Sequence, residues 1–529
     1  MKRHLRLPML GIVAALTLVL AACGSSSGTA EDGPGEGGEP IAGGTATYAI
    51  DIQPLGGGVD PMVATALAAQ TIMDQAYETL LTRDASGEIR PGLALEYDQP
   101  DELTYVFTLR DDVKFADGSE FTADDVVYSF ETYQAATTSK KTYLLGLSSV
   151  TANDEHTVTF AFSQPNGTFL NAVAHRETFM IVGREGYGGA TEEERQTRTF
   201  GTGPFQLTAW EDGVSMTLSK NDHYWEEGKP YLDAIEMPII ADEATRLAAL
   251  QQGTADAAWF GDGSIADQAV SAGFTLGDPA FTQTLPIFIN PESGPLSDVR
   301  VRQAVSLALD RQALVDVAML GHGEVSLVVP AGDPATPGVD EDTPNHTRDV
   351  DAAKELLDEA GQPNPTIVLS YFSDAVQSQH PIYEQMQQQL AEAGITLDLK
   401  ATPASELSPI FTAGETFTDL VSLPWSYRAD PTFYFDPFLS DAGAMNHWDG
   451  NADADAAKAL LAEAKATSDA EEKADLIEQL TTEVADQMLI LIPMAVPQKF
   501  EIWNPDTFQG YTTDPYGSRY NLKDAWVIH

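Results

Sequence analysis

The sequence predicts an α/β protein of at least two domains, and three observations carry that prediction. The chain has 529 residues, more than one hydrophobic core normally organises, and 43% of them are apolar, an ordinary globular share. Strand-period and helix-period patterns alternate along it without an internal repeat. Turn and cap residues stand between those patterns, where such elements begin and end.

The first clear strand is LTYVFTLR at 103–110, where Tyr105, Phe107 and Leu109 alternate with Thr104, Val106 and Thr108 and so give two distinct faces. Asp117-Gly118 makes a turn, and Thr122, three residues before Asp125, predicts a capped helix through DDVVYSFE. From Asp298, a good N-cap, the run VRVRQAVSLALDRQALVDVAML puts Val301, Ala304, Val305, Ala308 and Leu309 on one helical stripe and its Arg and Asp residues on the opposite face. Further amphipathic helices are expected at 351–360, stopped by Gly361; at 381–393, stopped by Gly394; and near 453–466 and 471–488. Short β-rich runs at 366–371, 396–401 and 489–493 separate them.

Charge narrows the partners. Eighty acidic residues against 29 basic ones leave a formal −51, a surface that repels nucleic acid and anionic lipid alike. The N-terminus answers how such a chain could still live at a membrane. Lys2, Arg3 and Arg6 precede an apolar run, Leu10–Leu20, that is short of the ~20 residues a spanning helix needs and reads as an export signal over 1–22. It ends in Leu20-Ala21-Ala22-Cys23, and Cys23 is the only cysteine, so no disulfide can staple the exported fold. Residues 23–44 follow as a Gly-, Ser- and Glu-rich tether with almost nothing to bury.

Several motifs are empty of chemistry. Gly24-Ser25-Ser26-Ser27-Gly28 matches a nucleophile elbow and Gly33–Gly38 a dinucleotide fingerprint, but both lie in the tether with no strand before them. The nine histidines include no pair at ligand spacing, so no zinc site is expected. Asp449, Asn451, Asp453 and Asp455 alternate like calcium ligands, yet Ala454 and Leu460 stand where Gly and Glu are needed, and the run reads as the polar lead-in to a helix. No P-loop is present, and no cofactor is expected.

Six stretches in order resemble the solute-binding proteins of family 5, the oligopeptide- and dipeptide-binding type that serves ABC importers. They are Val59-Asp60-Pro61; PGLALEYDQPDELTYVFTLRDDVKFADGSEFTADDVVYSFE at 91–131; GTGPFQLTAWEDG at 201–213 with NDHYW at 221–225; PLSDVRVRQAVSLALDR at 295–311; DAAKELLDEAG at 351–361; and GYTTDPYGSRYNLKDAWVIH at 510–529. The resemblance implies a two-lobed, periplasmic-binding-protein-like fold of the large type II (cluster C) kind, with a small extra domain inserted in the first lobe. By analogy the first lobe is expected to combine 45–85, 195–290 and 490–529, the extra domain to be 86–194, and the second lobe 291–489. It further implies a monomer that encloses a solute, most often a peptide, between its lobes and delivers it to an ABC permease. The LAAC ending resembles a lipobox, which implies lipid modification of Cys23 and a lipid anchor on the outer face of the membrane.

One stretch, WSYRADPTFYF at 425–435, concentrates the candidate ligand contacts. In the peptide-binding relatives a Trp here is followed three residues later by an Asp that grips the ligand's ammonium group. Trp425 fits that pattern, but Arg428 stands where the Asp is expected, and a guanidinium binds carboxylate or phosphate instead. Asp430, before Pro431, reads first as a structural turn residue and second as a substitute ammonium ligand. Trp425 and Tyr427 are the candidate pocket rings, with Phe433, Phe435 and Phe438 assigned to the core at least in part. Gly57 and Gly58 on the opposite wall suggest room or main-chain hydrogen bonds for the solute. Three ligands stay open: a peptide held through its backbone, a solute with an anionic group on Arg428, and an oligosaccharide stacked on Trp425, Tyr427, Phe433, Tyr434 and Phe435. Outside this class stand a glycoside or peptide hydrolase, for which no carboxylate pair stands out among 80 acids, and a surface chaperone or docking protein.

Overall fold

The computed structural model describes residues 39–528 apart from 55–56, 65–66, 85–86, 137–138, 177, 278–282, 293, 327–342, 374–379, 404–405, 408, 411–414, 424, 427–429, 442, 444, 497–499 and 514–521. Cys23 and the expected signal and tether therefore lie outside the described residues, apart from the tether's last few positions. Among the described residues no helix is long and apolar enough to cross a membrane.

Two seven-stranded mixed sheets organise the chain. The first runs Thr275–Leu276, Phe500–Trp503, Ala257–Phe260, Thr45–Ala49, Ala234–Pro238, Ser215–Lys220, Phe205–Glu211. Its central strand, Thr45–Ala49, pairs in parallel with both neighbours, and the outer pairs are antiparallel. The second has the order Glu324–Val325, Ile490–Val496, Gln283–Ile289, Leu420–Ser422, Thr366–Phe372, Thr396–Thr402, and the two residues Trp425–Ser426 also pair with Gln283–Thr284.

This topology corrects the expected lobe boundaries. Gln283–Ile289 and Ile490–Val496, expected in the first lobe, lie side by side within the second sheet with Phe288 opposite Ile490. The chain leaves the first sheet after Leu276 and returns to it at Phe500. Apolar alternation alone does not say which sheet a strand joins; the antiparallel ladder between two distant segments decides it.

Between the early strands of the first sheet sits a four-stranded antiparallel sheet in the order Ala94–Asp101, Thr104–Leu109, Thr157–Phe162, Leu147–Asp154. The alternation in LTYVFTLR is real: Tyr105, Phe107 and Leu109 are buried. They meet the helix Ala123–Ala135 and the short helix Phe169–Val173 through rings such as Phe130 on Phe160, 4.7 Å apart edge to face. Each ring withdrawn from water here contributes about 1.5–3 kcal/mol. The helix starts at Thr122, whose backbone N–H and hydroxyl both donate to Asp125, at 3.0 and 2.9 Å.

The expected later helices form at Val350–Glu359, His380–Glu392, Asp455–Ala466 and Ala470–Asp486. Gly361 and Gly394 stop the first two with φ of 69° and 84°, a conformation that favours glycine. The single run expected after Asp298 is instead two helices, Val299–Leu307 and Arg311–Ala318, because Asp310 caps a new start by accepting from the Ala313 N–H at 2.9 Å. Two arginines of that run are also not on a solvent face. Arg302 and Arg311 are buried. The Arg302 guanidinium donates to the carbonyls of Leu296 (3.1 Å) and Gln487 (3.1 Å) and to Asp453 (2.6 Å), and lies over the Trp448 ring. Asp449 is likewise taken, by Lys458, so cations of the chain itself occupy two of the calcium-like carboxylates.

One large core joins the first sheet to the four-stranded sheet, and a separate one fills the second lobe. Among the described residues a single one of the second lobe, Phe433, belongs to the first of these cores; its neighbours Tyr434 and Phe435 belong to the second.

Candidate functional site

The strand Trp425–Ser426 places the candidate stretch where the chain passes between the sheets. Trp425 is opposite Thr284 and Ser426 opposite Gln283, at the start of the strand that follows the crossing from Leu276. Tyr427 and Arg428 lie outside the described residues. Beyond them Thr432–Leu439 is a helix, not an alternating strand, and Phe433, Tyr434, Phe435 and Phe438 are all buried. The three rings Phe433, Tyr434 and Phe435 proposed as stacking faces for a sugar are core. Phe433 stacks on Tyr143 with centroids 4.0 Å apart.

Asp430 has no exposed surface, and its carboxylate oxygens are already taken by donors of the chain itself. Its Oδ1 accepts from the Thr432 N–H (3.0 Å) and hydroxyl (2.6 Å), and its Oδ2 from Asn171 Nδ2 (2.6 Å) and Lys473 Nζ (2.8 Å). Burial pushes its carboxyl up, but the Lys473 charge and the three side-chain donors outweigh that and hold it below the usual carboxylate range. The turn reading is the one the geometry supports.

On the other wall, Gly58 serves the fold. It sits at φ +58°, and a Cβ there would fall 1.9 Å from the carbonyl oxygen of Gln196, which accepts the Val59 N–H at 2.9 Å. Gly57, at φ +96°, has the Val63 methyl 3.0 Å from where a Cβ would be. The loop continues into Asp60, which accepts from the Met62 N–H (3.0 Å) and the Tyr187 hydroxyl (2.8 Å), while Lys140 Nζ donates to the Pro61 carbonyl at 2.8 Å. Of the turn's main chain, the Val59 N–H is bonded to Gln196 and the Gly57 carbonyl accepts from the Asp60 N–H at 3.2 Å.

A separate cavity of about 210 Å³ lies where the first lobe meets the inserted domain, lined by residues including Glu78, Arg176, Trp225 and Lys523. Glu78 is held there by the Thr202 hydroxyl (2.8 Å) and by Trp225 Nε1 (3.1 Å). Burial pushes its carboxyl up, against those donors and the charges of Lys523 and Arg176. None of the residues 430–435 is among its described lining.

Sequence reasoning missed Asn171 and Lys473. Asn171 carries no local signal. Lys473 does, because it occupies the stripe position four, seven and eleven residues before Ile477, Leu480 and Val484, all buried. A lysine in an apolar stripe needs a buried partner.

Residues 88–446 match the family described as bacterial extracellular solute-binding proteins, family 5 Middle. The chain belongs to this family. It is similar to the oligopeptide-binding protein AppA of Bacillus subtilis, 27% identical over 99% of each chain. It is also similar to the glutathione-binding protein GsiB of Escherichia coli O1:K1 / APEC, 30% identical over 66% of this chain and 68% of that one. The ABC transporter substrate-binding protein CtaP of Listeria monocytogenes shares the fold, with a TM-score of 0.80 at 24% identity over 92% of this chain and all of that one. As a family 5 protein this one works outside the cytoplasm, taking a solute between its two lobes for an ABC importer. Its two sheets with separate cores are those lobes.

Proposed function

We propose that the solute is a peptide, held beside Trp425 with its carboxylate end on Arg428 rather than its amine on an acid. One observation carries the reading: AppA, which is similar along 99% of this chain, is named for binding oligopeptides. GsiB, named for glutathione, itself a tripeptide, agrees with it. The saturated, buried Asp430 supports the reversed polarity, since the nearest carboxylate is spent on Thr432, Asn171 and Lys473. A second reading, a small solute with an anionic group, rests on the same Arg428.

Calorimetry with a free-carboxylate peptide pool and its C-terminal amide counterpart separates the two. A charge-assisted hydrogen bond is worth about 1.5–3 kcal/mol, so Arg428→Ala should weaken the free-carboxylate pool by roughly 10- to 150-fold and leave the amides unchanged. Unchanged binding of the free-carboxylate pool would sink the charge argument, and binding of an anionic amino-acid derivative but no peptide favours the second reading. Bound peptides recovered intact by mass spectrometry exclude a peptidase. The reading also places a monomeric body on a lipid anchor at Cys23, handing solute to a permease in the same membrane. Cys23→Ser should then release the protein into the medium, and its retention in the membrane fraction counts against the anchor.

A further inference from the structure

The strand Trp425–Ser426 leads into a contact that joins the two lobes' separate cores. Asp430 and Lys473 both belong to the second lobe, as a turn residue and a residue of the helix Ala470–Asp486. Each is completed from across the boundary. Asn171, on the short helix Phe169–Val173 of the inserted sheet's domain, donates to Asp430 Oδ2 at 2.6 Å, and the carbonyl of Gly167 accepts from Lys473 Nζ at 2.7 Å. The anion meets a donor and the cation an acceptor, so the match has one orientation.

The surrounding geometry is equally close. The Gly167 N–H donates to the Lys465 carbonyl at 3.1 Å, and a Cβ at Gly167 would fall 1.6 Å from the Thr467 carbonyl oxygen. Arg83 fixes Asn171 from behind, its Nη2 donating to Asn171 Oδ1 at 2.6 Å. Phe433, three residues after Asp430, is the second-lobe ring that enters the first core, on Tyr143. A buried ion pair is weak support for stability, because apolar replacements often do as well, but it is a strong constraint on geometry. The Asp430–Lys473 pair lies within the second lobe, so parting of the lobes would break the two cross-boundary bonds and leave the pair itself.

We propose that Asn171 and the Gly167 carbonyl latch the inserted domain onto the Asp430–Lys473 pair, and so hold the Trp425–Ser426 strand in its solute-retaining position. Asn171 is a positioning residue in this scheme. The retention half rests on the reading that Trp425 borders the solute, and the latch half does not.

Amide exchange followed by mass spectrometry on the full chain reads the latch without solute, because the Gly167 N–H bonds across the boundary itself. Asn171→Asp removes the donor, keeps the Arg83 contact and sets a like charge against Asp430. It should speed Gly167 exchange by about tenfold or more, while amides around Val484, in the second core, stay as in the wild type. Asn171→Ala should act in the same direction, less strongly. Exchange at Gly167 that does not change, or that rises equally around Val484, overturns the latch. Stopped-flow release of a fluorescent peptide pool then reads retention: the release rate should rise by the factor seen at Gly167 with association unchanged, and an unchanged release rate overturns that half. Should the wild type bind no peptide, the peptide reading fails, and exchange in the fragment spanning Trp425–Ser426 decides retention by rising with Gly167 or not.

Discussion

Replacing Gly58 by alanine separates a glycine kept for the solute from one kept for the fold. At φ +58° an alanine carries the left-handed cost of roughly 1–2 kcal/mol. Its Cβ would stand 1.9 Å from the Gln196 oxygen, a distance no packing tolerates, so turn and Gln196 must separate. Separation breaks the 2.9 Å bond from the Val59 N–H, worth about 1 kcal/mol more. The expected local loss is about 2–3 kcal/mol, or roughly 30- to 150-fold in the opening equilibrium. The loss is confined to the turn, which can open without unfolding the rest of the lobe, so a local probe is the better instrument. Exchange of the Val59 amide reads the opening directly and should accelerate by that factor. Unchanged exchange together with weakened solute binding would refute the packing account and return the glycine to the solute.

Two further outcomes follow from buried charge. Arg302→Lys keeps the charge but loses the fork that reaches Leu296, Gln487 and Asp453 together, and should cost about 2–4 kcal/mol in the second lobe, seen as an earlier thermal transition; Arg300→Lys, on the exposed face, should not move it. Asp430 is held below its free value of 3.8, so its pair with Lys473 contributes in full above that pH and is lost as the pH falls through the depressed value. The melting difference between wild type and Asp430→Asn should accordingly stay constant from neutral pH to about 4 and shrink below it, and a difference that grows on acidification contradicts the assignment.

Local patterns carried most of the fold. Tyr105, Phe107 and Leu109 announced a strand by alternation, Asp298 stood where a cap belongs, and Gly361 and Gly394 marked true helix ends. What failed was inference from residue type to environment. Arg302 reads as a solvent residue, yet backbone carbonyls that the helix ends leave unused make a buried seat for it. Phe433 and Phe435 read alike as core rings, but on their helix they point into different cores. Membership of a sheet was also illegible, because Ile490–Val496 finds its partner some 200 residues earlier in the chain, a pairing no window contains. The candidate site was half readable. Trp425 enters the candidate site by resemblance alone, and no pattern near Asp430 announces its partner Asn171, 259 residues away in sequence.

The first sheet has a consequence for the order in which the molecule can be born. Its central strand is Thr45–Ala49 and its neighbour but one is Phe500–Trp503, so segments about 450 residues apart in sequence flank the same strand, Ala257–Phe260. A chain threaded outward from its N-terminus can close the four-stranded sheet of residues 94–162 at once, from local contacts. The founding strand gains both its neighbours, Ala234–Pro238 and Ala257–Phe260, near mid-chain, and it is Ala257–Phe260 whose outer edge must wait for Phe500–Trp503.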